Sequence, residues 1–360
     1  MTKQGRTAAR HSAALAAGLA FAASAHAQSS VTLYGVLDAS ILYTSRTLDH
    51  ATGGNAGKTI GFADAGYSAS RVGLRGVEDL GGGLRAMFAL ESGINVGTGG
   101  HNISNGNFFG RQAWVGLDSP YGTVKLGLQY SPFLLAADHL DPRGGALFGG
   151  SAVNYVDNVA GTGIFTPNAV SYSSPRIAGL QARALVSLGN AAGSFQAGRA
   201  YSASVDYELG GLFVDAAIYD GNAGSTANTP IPTTVAFEGR IIGAGYRFGP
   251  VTAKASFANY KVAGSFDSNV YTGGFEYFVT PAVIVNGSVG YTSDRNHTAN
   301  HSILAGLGAQ YGLSKRTWLY AQAALVDNHG VMNTGVGISG ALYAPSGRTV
   351  GADVGIRHAF

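Results

Sequence analysis

From Val31 to Tyr43 every odd position is apolar or glycine: Val31, Leu33, Gly35, Leu37, Ala39, Ile41 and Tyr43. The even positions carry Thr32, Tyr34, Asp38, Ser40 and Thr44. A period of two belongs to a strand whose successive side chains face opposite sides. The run of about 14 residues is also longer than the ~5–6 of an ordinary soluble strand. The pattern recurs. Leu84, Ala86, Phe88 and Leu90 alternate with Arg85, Met87, Ala89 and Glu91, and Val124, Leu126, Leu128 and Tyr130 alternate with Thr123, Lys125, Gly127 and Gln129. Further copies run through Leu180–Leu188, Val251–Phe257 and Thr349–Phe360. Each predicted strand therefore has one continuous apolar face and one polar face that carries charge.

Alternation alone is compatible with a soluble β-sandwich, whose apolar faces meet in a dry core. Three further features favour a membrane barrel. The strands match the ~9–11 residues needed to cross a bilayer at a tilt. Their apolar faces are rich in Ala, Gly, Val and Leu with Tyr or Phe near the ends, as an aromatic girdle requires. Connections alternate between tight and long. Tight ones include 78–83, 118–122, 174–179, Gly210-Gly211, Gly249-Pro250, Thr280-Pro281 and 312–316. Long polar ones lie near 45–66, 95–107, 131–168, 189–199, 221–234, 261–268, 293–300 and 328–347. Eight long loops imply eight hairpin tops, hence an all-β, 16-stranded antiparallel transmembrane β-barrel with both termini on the short-turn side. A closed sheet of that size encloses a water-filled channel.

Composition narrows the picture. Glycine supplies 55 of 360 residues and charged residues only 12%, about half the usual share in soluble domains. With 18 Tyr and 17 Phe, the chain is too aromatic and too poor in charge to be disordered. The absence of cysteine removes disulfides and thiolate metal sites. The net charge of +3 comes from Lys3, Arg6 and Arg10, since residues 1–27 contain no acid. Residues 28–360 are formally neutral, so nothing points to nucleic acid. Basic start, apolar Ala13–Ala25 and the closing Ala25-His26-Ala27 have the layout of a secretory signal peptide, too short to span a bilayer as a helix. The expected organisation is a cleaved leader, 1–27, and a barrel domain, 28–360.

Candidate chemistry follows from the polar face, which has to line something wet if lipid lies outside. It includes Asp38, Arg71, Arg75, Glu91, Lys125, Lys254, Asp353 and Arg357, and for any one of these a plain solvated channel wall is the bland reading. Residues 131–168 exceed an ordinary hairpin loop and carry Asp138, Asp141, Arg143 and Asp157. Folded inward, this loop would narrow the lumen and set carboxylates against wall arginines, giving a transverse field; it reads equally well as an exposed surface loop. Gly335–Gly340 fits GxGxxG but opens no helix. His297 and His301 diverge on a loop-to-strand junction, so neither a metal nor a cofactor is expected. No nucleophile motif supports an enzyme. A barrel acting mainly as a surface adhesin or receptor is the alternative function.

Several stretches resemble the Gram-negative general porins, particularly their beta-proteobacterial branch. They are Ser29–Gly35, Ser70–Leu84, Phe109–Leu117, Tyr121–Gly127, Asn168–Pro175 and Gly355–Phe360, in the expected order along the chain. The resemblance implies a homotrimer of barrels in the outer membrane, each passing small hydrophilic solutes and ions through its own pore. It also implies that the third long loop folds inward as a constriction, and that the barrel-assembly machinery reads the final Phe360. By motif the constriction arginines correspond to Arg71 and Arg111. Arg71 has lumen parity. Arg111 shares a face with Ala113, Val115 and Leu117 and would point to lipid unless a bulge re-aims it. The loop's Ala146-Leu147-Phe148-Gly149-Gly150 lacks the family's usual acid, so Asp138, Asp141 and Asp157 are the candidates. With Arg75 and Lys125 on the wall, these complete the expected constriction set.

Overall fold

The alternating segments become strands in the computed structural model, which describes residues 30–159, 164–224 and 235–360. The leader 1–27 lies outside these residues. In chain order the strands are β1 (Ser30–Thr44), β2 (Thr59–Asp64), β3 (Arg71–Gly81), β4 (Leu84–Gly93), β5 (Gln112–Ser119), β6 (Gly122–Tyr130) and β7 (Phe165–Ser173). They continue as β8 (Leu180–Ser187), β9 (Ala200–Leu209), β10 (Leu212–Gly221), β11 (Phe237–Phe248), β12 (Val251–Val262) and β13 (Asp267–Thr280). The last are β14 (Val283–Asp294), β15 (His301–Gly312), β16 (Thr317–His329), β17 (Thr334–Gly337), β18 (Ala341–Tyr343) and β19 (Gly347–Ala359).

Neighbours from β3 to β16 pair antiparallel in sequence order, β16 pairs with β19, and β19 closes on β1 from Val36↔Ala359 to Thr44↔Gly351. β2 and β3 lie end to end along one edge of β1 and form a single interrupted stave. β17 and β18 form a separate hairpin. The wall therefore has sixteen staves, as the loop count predicts. Closure has a physical cause: an unpaired backbone group in hydrocarbon costs several kcal/mol, and a closed sheet has no edge. At the seam, Phe360 and Gly35 exchange backbone hydrogen bonds of 3.1 Å. The Phe360 ring covers the space a side chain at position 35 would need.

Face parity follows the sequence. Along β16, Leu319, Ala321, Ala323 and Leu325 are exposed on the outside, while Tyr320, Gln322, Ala324, Val326 and Asn328 are buried inside. Outward aromatics gather at two levels. Tyr271 and Tyr291 stack near the long loops, and Tyr246 and Phe248 stack near the short turns. From Tyr291 back to Val283, which faces Tyr311, the strand covers about 27 Å at ~3.4 Å per residue. A tilt near 40° leaves about 20 Å along the membrane normal, close to the apolar band of outer-membrane barrels.

The structure departs from the expected outline in two places. The first long loop was expected to run to residue 66, but Ile60 and Phe62 continue the outward apolar face opposite Tyr43 and Ile41, so β2 forms there. Residues 65–70 then bend into the barrel. The bend is held by Asp38, which is fully buried and accepts from the backbone N–H of Gly66 (3.1 Å), Tyr67 (3.3 Å) and Ser68 (2.8 Å).

The second departure is helix within the third long loop: α1 (Pro132–Leu140) and α2 (Ser151–Val159). Ser131 caps α1 by accepting from Leu134 N–H at 3.0 Å, and Pro132 opens it, the start signals of a helix. Phe133, Ala136 and Leu140 recur at helical spacing and bury against Phe213, Phe237, Ile241 and Tyr260 on the inner wall. The loop thus folds inward. The hairpin β17–β18 folds in behind it: Gly149 N–H donates to Val336 at 2.7 Å and Ile338 N–H donates to Leu147 at 2.9 Å. Gly337, within the GxGxxG sequence, lies against the Phe148 ring, where a side chain would collide at 2.8 Å. That glycine pattern serves close packing of two loops.

Candidate pore constriction

Arg143, one of the charges of the third long loop but not of the expected constriction set, fastens the loop to the wall. It is fully buried. Its Nε donates to Asn286 Oδ1 on β14 (3.0 Å), Nη2 to Gln322 Oε1 on β16 (2.7 Å), and Nη1 to the Phe148 carbonyl. Its own carbonyl accepts from Tyr67 Oη at 2.9 Å. The inward bend at 65–70, the loop and the far wall are therefore joined through one guanidinium. Beside it, the Asp141 carboxylate accepts from Arg143 N–H (3.0 Å) and Gly145 N–H (3.1 Å). Lys254 from β12 donates to the carbonyls of His139 (2.7 Å) and Asp141 (2.8 Å), closing the C-terminal end of α1.

Between this loop, the wall of β1–β6 with β19, and strands β11–β13 lies a cavity of about 1250 Å³. Arg71, Arg75, Arg111, Arg357 and Glu91 line it from the wall, Asp138 and Asp141 from the loop. Glu91 on β4 is the hub of the wall side. It is buried. Its Oε1 accepts from Arg111 Nε (2.7 Å) and Tyr130 Oη (2.9 Å), while Oε2 accepts from Tyr34 Oη (3.0 Å) and lies 3.7 Å from Arg71 Nε. Arg111 also donates to the Ile103 carbonyl at 3.1 Å and to Tyr130 Oη at 2.8 Å. Arg75 lies over the Tyr34 ring at 5.4 Å and is exposed.

The structure distributes the sequence candidates unevenly. Arg71, Arg75 and Arg111 share the cavity with Asp138. Asp141 also borders it, but its carboxylate is spent on backbone amides. Lys125 lies on the inner wall nearer the short turns, 4.3 Å above the Trp114 ring, apart from the aperture. Asp157 belongs to α2, and its side chain lies outside the described residues. Strand parity alone sent Arg111 toward lipid. It stands just before β5, whose ladder begins at the Glu91↔Gln112 pair, so its side chain is free to turn inward to Glu91. Tyr130 was read on the apolar outer face and that reading is corrected. A register shift between Gly127 and Gln129 re-aims it, as a bulge does.

Asp138 sits on the open face of α1, exposed to the lumen. Crowding by protein and the neighbouring Asp141 push its carboxyl above the usual range, opposed by Lys254, His139 and Arg71. Among the described lining residues, the guanidiniums outnumber the carboxylates, and Glu91 already serves Arg111. The charges left facing water are mainly Arg71, Arg75 and Arg357 on one side and Asp138 on the other. This arrangement holds a field across a wet aperture, and no group of three or more His, Asp or Glu among the described residues is placed to hold a metal.

Comparison with known proteins agrees with this geometry. A family model for the Gram-negative porins matches residues 12–330. Outer membrane porin protein 32 of Delftia acidovorans is 30% identical over 375 residues, covering 95% of this chain and 97% of that protein. Major outer membrane protein P.IB of Neisseria meningitidis serogroup B is 26% identical over 384 residues, covering 93% and 95%. Among solved structures, an anion-selective porin from Comamonas acidovorans superposes with a TM-score of 0.78 at 28% identity, covering 92% of this chain and 100% of that one. A sixteen-stave closed sheet, a loop folded into its lumen and relatives that match along almost the whole length leave one conclusion: this chain belongs to the Gram-negative porin family and is an outer-membrane porin.

Proposed function

We propose that the protein is a passive general-diffusion channel for small hydrophilic solutes and ions. Its narrowest section lies between Arg71 and Arg75 on the wall and Asp138 on the third loop. The observation that carries this reading is the cavity between loop and wall, lined by arginines whose charge Glu91 only partly balances. In a water-filled passage with low-dielectric walls such charges focus the field and raise the local concentration of counter-ions. The expected outcome is a mild preference for anions, in line with the anion-selective porin of Comamonas acidovorans.

The test is the reversal potential of the purified protein in a planar bilayer under a salt gradient. Wild type is expected on the anion side, and Arg71→Gln should move it toward cations. Because the Asp138 carboxyl protonates more readily than an ordinary one, acidification should first strengthen the anion preference, and Asp138→Asn should remove that step. A reversal potential indifferent to Arg71→Gln would take Arg71 out of the constriction.

The assembly is proposed as a homotrimer. β4 to β10, of 8–10 residues, stop short of the 12–14 residues of β11–β16. They leave a low wall sector whose outer face carries exposed Val115, Leu117 and Leu126, a surface suited to another copy. Residues 1–27 are proposed to be removed on export, with Phe360 at the seam as the assembly signal. Amino-terminal sequencing of protein extracted from outer membranes should begin at Gln28; a chain retaining Lys3 would refute the cleavage.

A further inference from the structure

The loop side of the constriction is not built like its wall side. α1 buries Phe133, Ala136 and Leu140 against the barrel. Its opposite face, turned to the lumen, presents Leu135 one turn before Asp138, with Leu134 at the flank, where it also packs partly against the wall cluster; all three line the cavity. Leu135 is 41% exposed, although this surface lies inside the protein and faces neither lipid nor a core. A helix that only needed to bury one side and wet the other would carry polar residues there. Facing it are the Arg71 and Arg75 guanidiniums, bracketed by the Tyr34 ring under Arg75.

We propose that the aperture favours small carboxylates with an apolar body over equally small hydrophilic ones. The carboxylate is held by Arg71 and Arg75, and the hydrocarbon part slides over Leu134 and Leu135. The chemistry is that of a typical small-molecule site: an apolar lining with a few placed charges that fix orientation. A guanidinium matches a carboxylate through paired N–H donors. Each methylene that leaves water against the leucines adds to the attraction. Partial burial in an open pore gives less, which suits transit: binding has to be strong enough to admit a solute and weak enough to release it. The inference rests on the proposed constriction and names a solute class for it.

The experiment compares block of single-channel current by pentanoate and by glycerate, two carboxylates of similar size, in chloride solution, for the full trimeric protein. Each is read as the ratio of the two block constants within one variant, so that any change in the open conductance cancels. Wild type should be blocked several-fold more strongly by pentanoate. The double variant Leu134→Ser, Leu135→Ser should bring the ratio close to one, while Arg71→Gln should weaken block by both anions together. A smaller change, Leu135→Ala, serves as the second reading should the double variant fold poorly, and it should lower the ratio part of the way. If Arg71→Gln weakens block but the leucine variants leave the ratio untouched, the solute preference is wrong and the constriction stands. If Arg71→Gln changes neither block nor reversal potential, the constriction itself is wrong.

Discussion

Replacing Arg143 by Met is expected to release the third loop from the wall and to enlarge the unitary conductance. The substitution keeps bulk but removes donors from three buried acceptors: Asn286 Oδ1, Gln322 Oε1 and the Phe148 carbonyl. Each buried polar group left without a partner costs about 1–3 kcal/mol. Even with water entering from the lumen, a loss on the order of 3 kcal/mol shifts a docked loop toward undocked by roughly a hundredfold. Lys would not rescue it, because a single ammonium cannot match the planar fork that reaches two strands and a carbonyl at once. The backbone ladder that closes the barrel is untouched, so folded protein should still be recovered. In a planar bilayer the variant should give larger, noisier steps than wild type. Steps of wild-type size and steadiness would show that packing of α1 and α2 holds the loop without Arg143.

The second large effect is expected from Glu91→Gln. In the native protein Glu91 is the countercharge for buried Arg111 and lies 3.7 Å from Arg71. Removing one member of a buried pair leaves the other uncompensated, which typically costs about 3–5 kcal/mol. The amide still accepts from Arg111, and the lumen is wet, so the lower end of that range applies. Two readouts should move together. The midpoint of thermal unfolding in detergent should fall, and the reversal potential should shift further toward anions because a negative charge has left the aperture. A stability loss with no shift in selectivity would make Glu91 a brace for Arg111 and Tyr130 that does not shape the field in the pore.

Much of this molecule is legible in its sequence because a membrane barrel obeys one rule throughout. Lipid outside and water inside force alternation, so Asp38, Arg71, Glu91 and Asp353 were placed on the inner face by parity alone. Parity fails where the ladder is interrupted. Tyr130 turns inward because the register slips after Gly127, and Arg111 does so because pairing starts one residue later. Neither event leaves a mark in a two-residue period. Only the motif resemblance pointed to Arg111. The bend at 65–70 and the docking of the third loop depend on partners far along the chain. Arg143 meets Asn286 and Gln322, 143 and 179 residues away. A lone arginine in a long loop carries no local sign of such partners. The capping Ser131-Pro132 before α1 is a local sign of the helix alone, which can be read from it.

The account stands on the claim that the polar side of each strand lines water inside a closed wall while its neighbours face lipid. The protein contains no cysteine, so single thiols can be introduced at adjacent positions of β3 and probed in an open channel. With Arg75→Cys, a negatively charged, water-soluble methanethiosulfonate should react and step the current down irreversibly. With Leu74→Cys, one residue away and outward-facing, the same reagent should leave the current unchanged. Equal modification at both positions, or modification at 74 alone, would contradict the assignment of inside and outside on which the pore depends.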